Sequence, residues 1–310
     1  MDPFFETSAP FPRPRPALSR RALLIGALAL FGSPLRAQQA SPPRLPVVAS
    51  FSILGDLVRS VGGSRVDITT IVGPDGDAHV YQPSPQDGRR LAVARLVFVN
   101  GLGFEGWIDR LVAASKTKAR IVTASRAVTP RKEGEGIDPH AWQDVANVKI
   151  YVANIRDALI DADPDGAELY KANAGHYLTA LGVLDAEIVA AIGAIPQARR
   201  RVVSTHDAFG YFGARYGVEF IAPQGVSTDA EASARDLARI VDAVKTHKVA
   251  AVFLENIVDP RFARRIAAET GAKVGGTLYS DALSAPDGPA PTYLRLMRYN
   301  AKQLTDALAP

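Results

Sequence analysis

Between Pro164 and about Ile195 the chain keeps helical spacing, with Leu169, Ala172, Tyr177, Leu181, Leu184, Ile188 and Ile192 recurring and no strong breaker until Pro196. At about 1.5 Å per residue such a helix spans on the order of 45 Å, more than a single α/β lobe needs. It reads as a backbone between two bodies, and the sequence on each side must then supply a lobe of its own.

Both sides do so by alternating β-type runs with helical patterns, the signature of α/β architecture with mainly parallel sheets. Before the long helix, strands are expected at Pro46–Ala49, Val66–Val72, Leu96–Asn100 and Ile121–Val122, with helices at Ile53–Val61, around Trp107–Ala114 and at Asn147–Ala162. After it, strands are expected at Arg201–Ser204, Val218–Ile221, Val249–Leu254 and Lys273–Leu278. Helices are expected near Ala208–Tyr216, Ala230–Thr246, Pro260–Thr270 and Thr292–Leu308. At 47% hydrophobic and 22% charged, 310 residues have ample material for such cores.

The first residues have a different character. Ser19-Arg20-Arg21, the apolar run Ala22 to Phe31 and Ser33-Pro34-Leu35-Arg36-Ala37 follow the charged, apolar and small-residue order of a secretory signal, with cleavage expected near Ala37. The apolar run is half the roughly 20 residues that cross a bilayer, and the paired arginines permit twin-arginine export. Residues 1–37 hold five of the 36 basic and two of the 32 acidic residues, leaving 31 against 30. The basic excess thus sits mostly in the leader, and with no basic block interleaved with aromatics the chain is not expected to bind nucleic acid. Cysteine is absent, which removes disulfides, thiolate ligands, a cysteine nucleophile and a lipid-modified cysteine. The expectation is a soluble periplasmic protein without a direct lipid anchor.

Of five histidines, three stand in turn-rich contexts: Asp75-Gly76-Asp77-Ala78-His79, Asp138-Pro139-His140 and Ser204-Thr205-His206-Asp207. His176 lies within the long helical stretch and His247 near a helix end, where a cation is mildly favoured. His79, His206 and Asp281 follow expected strands, where open α/β sheets bind ligands, and His140 leads into a helix. Each alone would pass for a turn residue or, for Asp281, a helix cap. Taken together they make one candidate metal site with two residues from each lobe. Three imidazoles and a carboxylate suit tetrahedral Zn²⁺, whereas Mn²⁺ prefers more oxygen. Four protein ligands close the shell that a catalytic zinc leaves open to water, favouring capture and release over hydrolysis. Asp207 and Glu255 are candidate orienters of the imidazoles.

Gly101-Leu102-Gly103-Phe104-Glu105-Gly106 matches a dinucleotide fingerprint, but Glu105 would face the pyrophosphate and Thr123-Ala124-Ser125-Arg126 stands where the ribose-binding acid belongs. No G-x-S-x-G elbow, H-E-x-x-H helix or P-loop occurs. The enzyme alternative reduces to a zinc-dependent hydrolase with Asp281 unligated.

The sequence resembles the metal-binding substrate-binding proteins of zinc and manganese ABC transporters over nearly all of the chain after the leader. The resemblance is carried in order by His79-Val80-Tyr81-Gln82-Pro83-Ser84-Pro85, Gly101 to Trp107, Asp138-Pro139-His140-Ala141-Trp142 and His206-Asp207-Ala208-Phe209-Gly210-Tyr211-Phe212. Gln224-Gly225-Val226-Ser227 and Thr277-Leu278-Tyr279-Ser280-Asp281-Ala282-Leu283 complete it. It implies two Rossmann-like α/β lobes with parallel sheets, joined by one long helix, with a metal site in the interlobe cleft. The implied ligands are His79, His140, His206 and Asp281. The third position, often glutamate in manganese-type members, is His206 here. The stretch Pro130 to Gly136 has no histidine, so the long His-rich loop of many zinc-uptake relatives is missing.

The organisation expected is a signal peptide at 1–37, a linker at 38–45, an N-terminal lobe at 46–163, the linking helix at 164–195 and a C-terminal lobe at 196–310. The function expected is periplasmic capture of one Zn²⁺ per chain by a monomer and its delivery to an ABC permease, with manganese or iron as the alternative cargo.

Overall fold

The computed structural model describes residues 43–309 except 135, 231–232 and 248. The expected signal peptide, and the linker up to residue 42, lie outside the described residues.

β1 (Leu45–Phe51) passes directly into α1 (Ser52–Gly62). Val47 to Phe51 are buried without alternation, as a parallel strand covered on both faces requires. β2 (Val66–Val72), β3 (Leu96–Val99) and β4 (Arg120–Thr123) complete a parallel sheet in the order β2-β1-β3-β4. The order reverses between β1 and β3, so the crevice of this lobe opens at Phe51 and Asn100. Helices α2 (Pro85–Val93), α3 (Ile108–Ser115) and α4 (Val145–Ala162) complete the lobe with α1, and a short antiparallel pair, β5 (Lys132–Glu133) with β6 (Gly136–Ile137), lies between β4 and α4.

Three of these elements, α2, β5 and β6, have no counterpart among the expected ones. α2 is polar, but Ser84 caps it: the Ser84 hydroxyl accepts from the Asp87 N–H, the Asp87 carboxylate accepts from the Ser84 N–H, and Pro85 occupies the first turn. β5 and β6 have two residues each, too few for any periodicity.

The long helix starts with a 3-10 turn at Pro164–Gly166 and continues as α5 (Ala167–Gly193), whose 27 residues span about 40 Å. Tyr170, Ala174, Leu181, Leu184, Ile188 and Ile192 form its buried side, each large side chain contributing about 1.5–3 kcal/mol. Gly166 is required by close approach: a Cβ there would sit 2.6 Å from both Arg65 Nε and Asp163 Oδ2. These two residues form a two-pronged ion pair at 2.7 and 2.6 Å that ties the start of β2 to the α4–α5 corner.

The second lobe repeats the plan. β7 (Arg201–Val203), β8 (Glu219–Ile221), β9 (Ala251–Glu255) and β10 (Lys273–Leu278) form a parallel sheet in the order β10-β9-β7-β8, with α6 (Gly210–Tyr216), α7 (Ala234–His247), α8 (Arg261–Thr270) and α9 (Tyr293–Leu308). Its order reverses between β7 and β9, directing the crevice to Ser204–His206 and Glu255. One core runs from the first sheet through α5 to α6 and α9. A second, smaller one forms around Val203, Ile240, Val252 and Ile266, between the second sheet and α7 and α8.

Candidate metal centre

His79 is carried on the loop after β2. Its backbone N–H donates to Asp77 Oδ1 (2.9 Å), and Trp107 Nε1 donates to the Ala78 carbonyl (2.8 Å), fixing the loop from both sides. The ring stands edge-on to Phe104 at 4.7 Å. Phe104 belongs to the 101–106 glycine loop, where Gly101, Leu102 and Gly103 all have positive φ. Buried Glu105 pins that loop by accepting from Ser50 Oγ and the Asn100 N–H, both at 2.6 Å, and from the Gly101 N–H at 3.2 Å. Burial pushes its carboxyl up against the pull of these donors. The fingerprint-like glycines thus shape a wall beside His79.

His140 precedes a 3-10 turn at Ala141–Gln143. Asp138 Oδ1 accepts from the His140 N–H (3.0 Å) and lies 2.8 Å from Nδ1, and Nε2 faces His79 and Asp281. Arg131 steadies Asp138 at 3.2 Å. His206 extends β7, bridged to Gln224. Glu255, the last residue of β9, accepts from the N–H groups of Thr205 (2.7 Å) and His206 (2.9 Å) through Oε1, while Oε2 lies 2.6 Å from His206 Nδ1. Asp281 follows β10, and the preceding Ser280 carbonyl accepts from Trp142 Nε1 (3.0 Å) and Gln143 Nε2 (2.7 Å). The segments carrying His140 and Asp281 are therefore docked directly across the lobes.

The four side chains converge, one donor from each lying within 4.8 Å of the others. His79 Nε2 is 3.3 Å from His140 Nε2 and 3.2 Å from Asp281 Oδ2, His206 Nε2 is 3.2 Å from the same oxygen, and His140 Nε2 is 3.6 Å from Asp281 Oδ1. A tetrahedron with bonds of about 2.0–2.1 Å has edges of about 3.3–3.4 Å, close to these four distances. His140, His206 and Asp281 are fully buried, and only the His79 side chain, 4% exposed, reaches solvent. His206 Nε2 and both Asp281 oxygens are buried with no hydrogen-bond partner among the described residues, a costly arrangement that a bound cation relieves.

The electrostatics also favour a cation. Burial alone would depress the His140 imidazole, but Asp281 and Asp138 outweigh it and push it up to about 9. Burial is likewise overcome at His206, which Glu255 and Asp281 hold well above the usual range. At Asp281, burial would raise the carboxyl, yet His140 and His206 keep it well below the carboxylate range. Phe51, Phe104 and Trp142 pack behind the site with centroids 4.8–5.0 Å apart, excluding water.

All four expected site residues come together, while His176 lies exposed on α5. Of the two expected orienters, Glu255 places Oε2 2.6 Å from His206 Nδ1. Asp207 instead uses its backbone N–H, which donates to the Gly225 carbonyl (3.2 Å). The partner of His140, Asp138, was not foreseen, although an aspartate two residues before a histidine is the spacing at which a side chain folds back on its own backbone.

The sequence profile of the family described as zinc-uptake complex component A periplasmic (ZnuA) matches residues 47–307. The manganese-binding lipoprotein MntA of Halalkalibacterium halodurans is 37% identical over 267 residues, covering 86% of this chain and 89% of that protein. The iron-binding protein YfeA of Yersinia pestis is 33% identical over 258 residues, covering 82% and 83%. Among solved structures, the periplasmic zinc binding protein TroA from Treponema pallidum matches with a TM-score of 0.83 at 27% identity, and the Mn-bound periplasmic metal binding protein from Candidatus Liberibacter asiaticus with 0.79 at 30%. Both comparisons cover 86% of this chain and all of the other. The word lipoprotein in the MntA name stands against the expectation of an unanchored protein, although these 310 residues contain no cysteine to carry a thioether-linked lipid. The two lobes, the long helix and the family match agree on a transport component rather than an enzyme: the chain belongs to the ZnuA family of periplasmic metal-binding, substrate-binding proteins of ABC transporters.

Proposed function

We propose that the protein captures one Zn²⁺ per chain through His79, His140, His206 and Asp281 and delivers it to the permease of its transporter. The observation that carries this reading is the convergence of three imidazoles and one carboxylate with buried donors left unpartnered. A set of three nitrogens and one oxygen suits the tetrahedral shell of Zn²⁺. The ion is cargo: four protein donors around it leave no position for a reacting water.

One observation favours manganese or iron as the cargo instead. Both Asp281 oxygens face imidazole nitrogens, Oδ2 toward His79 and His206 and Oδ1 toward His140, so the carboxylate can chelate through both and add the oxygen contact that harder ions prefer. The names of the MntA and YfeA relatives support the same reading. Residues 1–37 are proposed to direct export, the paired arginines Arg20-Arg21 permitting the twin-arginine route, and the exported chain to act as a monomer.

The test is metal content after chelator stripping and reloading with zinc and manganese in competition. One zinc per chain, lost in His206→Ala but kept in His176→Ala, is expected. Preference for manganese moves the cargo to the second reading, and equal effects of the two substitutions would remove the site as drawn.

A further inference from the structure

The loop that brings His79 to the centre belongs to the first lobe, yet it is anchored in the second. The Asp77 carboxylate divides its two oxygens: Oδ1 accepts from the backbone N–H of His79 (2.9 Å), while Oδ2 accepts from the Thr228 hydroxyl (2.6 Å). Thr228 lies on the segment after β8. The same segment is tied to the other side of the site, because Gln224 bridges His206, the Gln224 N–H donates to the Thr205 carbonyl (3.4 Å) and the Asp207 N–H donates to the Gly225 carbonyl (3.2 Å). Gln224 Nε2 in turn donates to the Thr228 carbonyl at 3.4 Å and the Ala230 carbonyl at 2.6 Å, stiffening the span between them. A short chain of hydrogen bonds thus links His206 to His79 across the lobes without passing through the ion.

The location has a further consequence. Thr228 and Asp77 line a cleft of about 470 Å³ on one side, whereas neighbouring Ser227 and Asp229 line, with His79, Leu102 and Phe104, a cleft of about 680 Å³ on the other. The second cleft is the mouth over His79, the only one of the four side chains that reaches solvent. Exchange of the ion with solvent therefore has to begin at the residue whose backbone Asp77 holds.

Resting on the metal-capture reading above, we infer that the Thr228–Asp77 hydrogen bond is an interlobe latch that positions His79 and sets how long the cargo stays bound. Thr228 is not one of the four converging side chains and acts through Asp77, so it is a positioning residue. Its loss should act on release more than on capture, since the ligand set is left whole and only the restraint on the His79 loop is removed.

The experiment measures zinc dissociation into excess chelator by stopped flow, with association rate and stoichiometry measured in parallel. Thr228→Val, which keeps the shape and removes the hydroxyl, is expected to release the ion roughly tenfold faster, as loss of a hydrogen bond to a charged group implies, with one ion still bound per chain. Thr228→Ser, which keeps the hydroxyl, should release at the native rate. In an Asp77→Ala background Thr228→Val should have no further effect, because the partner is already gone. Release from Thr228→Val within twofold of native, with native stoichiometry intact, would overturn the latch and leave the metal site standing. Absence of bound metal in the unaltered chain would overturn both.

Discussion

Glu255 holds three groups with one side chain: the N–H of Thr205, the N–H of His206 and the Nδ1 edge of the His206 ring. Behind a ligating imidazole such a carboxylate fixes the tautomer and raises ligand basicity. Glu255→Gln is therefore expected to weaken metal binding about 10–100-fold by calorimetric titration, with Asp207→Asn close to native. A Glu255→Gln affinity within twofold of native would show that the carboxylate is not an orienter. The four side chains that converge were visible in the sequence because turn chemistry after apolar runs marks the carboxyl ends of strands. Their supports were half visible. Glu255 stands among the expected orienters of the imidazoles, whereas Asp138, 2.8 Å from His140 Nδ1, does not.

Among the helices, α1 carries a half-buried acid with a specific job. Asp56 Oδ2 accepts from the Tyr293 N–H (2.8 Å), one of the free donors at the start of α9. Burial raises its carboxyl to about 6, against the lowering effects of that bond and of Arg59. A carboxyl raised on folding stabilises the native state fully below about pH 4, its unfolded range, and that contribution is lost as pH rises through about 6. Asp56→Asn, which keeps an acceptor and removes the half-buried charge, is expected to stabilise the protein by about 1–3 kcal/mol at pH 7.5 and to change little at pH 4, by denaturant unfolding. An equal gain at both values would contradict a charged Asp56. Most elements were legible because apolar periodicity is a local property. α2 was not, since its signal lies in the Ser84-Pro85-Gln86-Asp87 cap rather than in an apolar stripe.

For the molecule as a whole, the two lobes are fastened by single hydrogen bonds between distant residues: Trp142 and Gln143 to the Ser280 carbonyl, Tyr293 Oη to the Trp142 carbonyl (2.7 Å) and the Leu283 N–H to Ser52 Oγ (2.9 Å). The sequence foretold two lobes and the helix between them, but not these fasteners, which join residues more than 130 positions apart. A site drawn from both lobes exists only in the folded chain, so the ion stabilises the fold by mass action. At a free metal concentration of about 100 Kd the gain is about 2.7 kcal/mol, and Tm should rise by a few degrees in a thermal scan. The rise should vanish in Asp281→Ala, and its persistence there would put the ion elsewhere. The aromatic wall gives the cargo an optical signature as well. The chain has two tryptophans; Trp142 packs 5.3 Å from the His140 ring, and Trp107 holds the carbonyl next to His79. A closed-shell d¹⁰ ion such as Zn²⁺ has no partly filled d shell to accept their excitation, so strong quenching of the protein's own fluorescence on loading would mark an open-shell cargo.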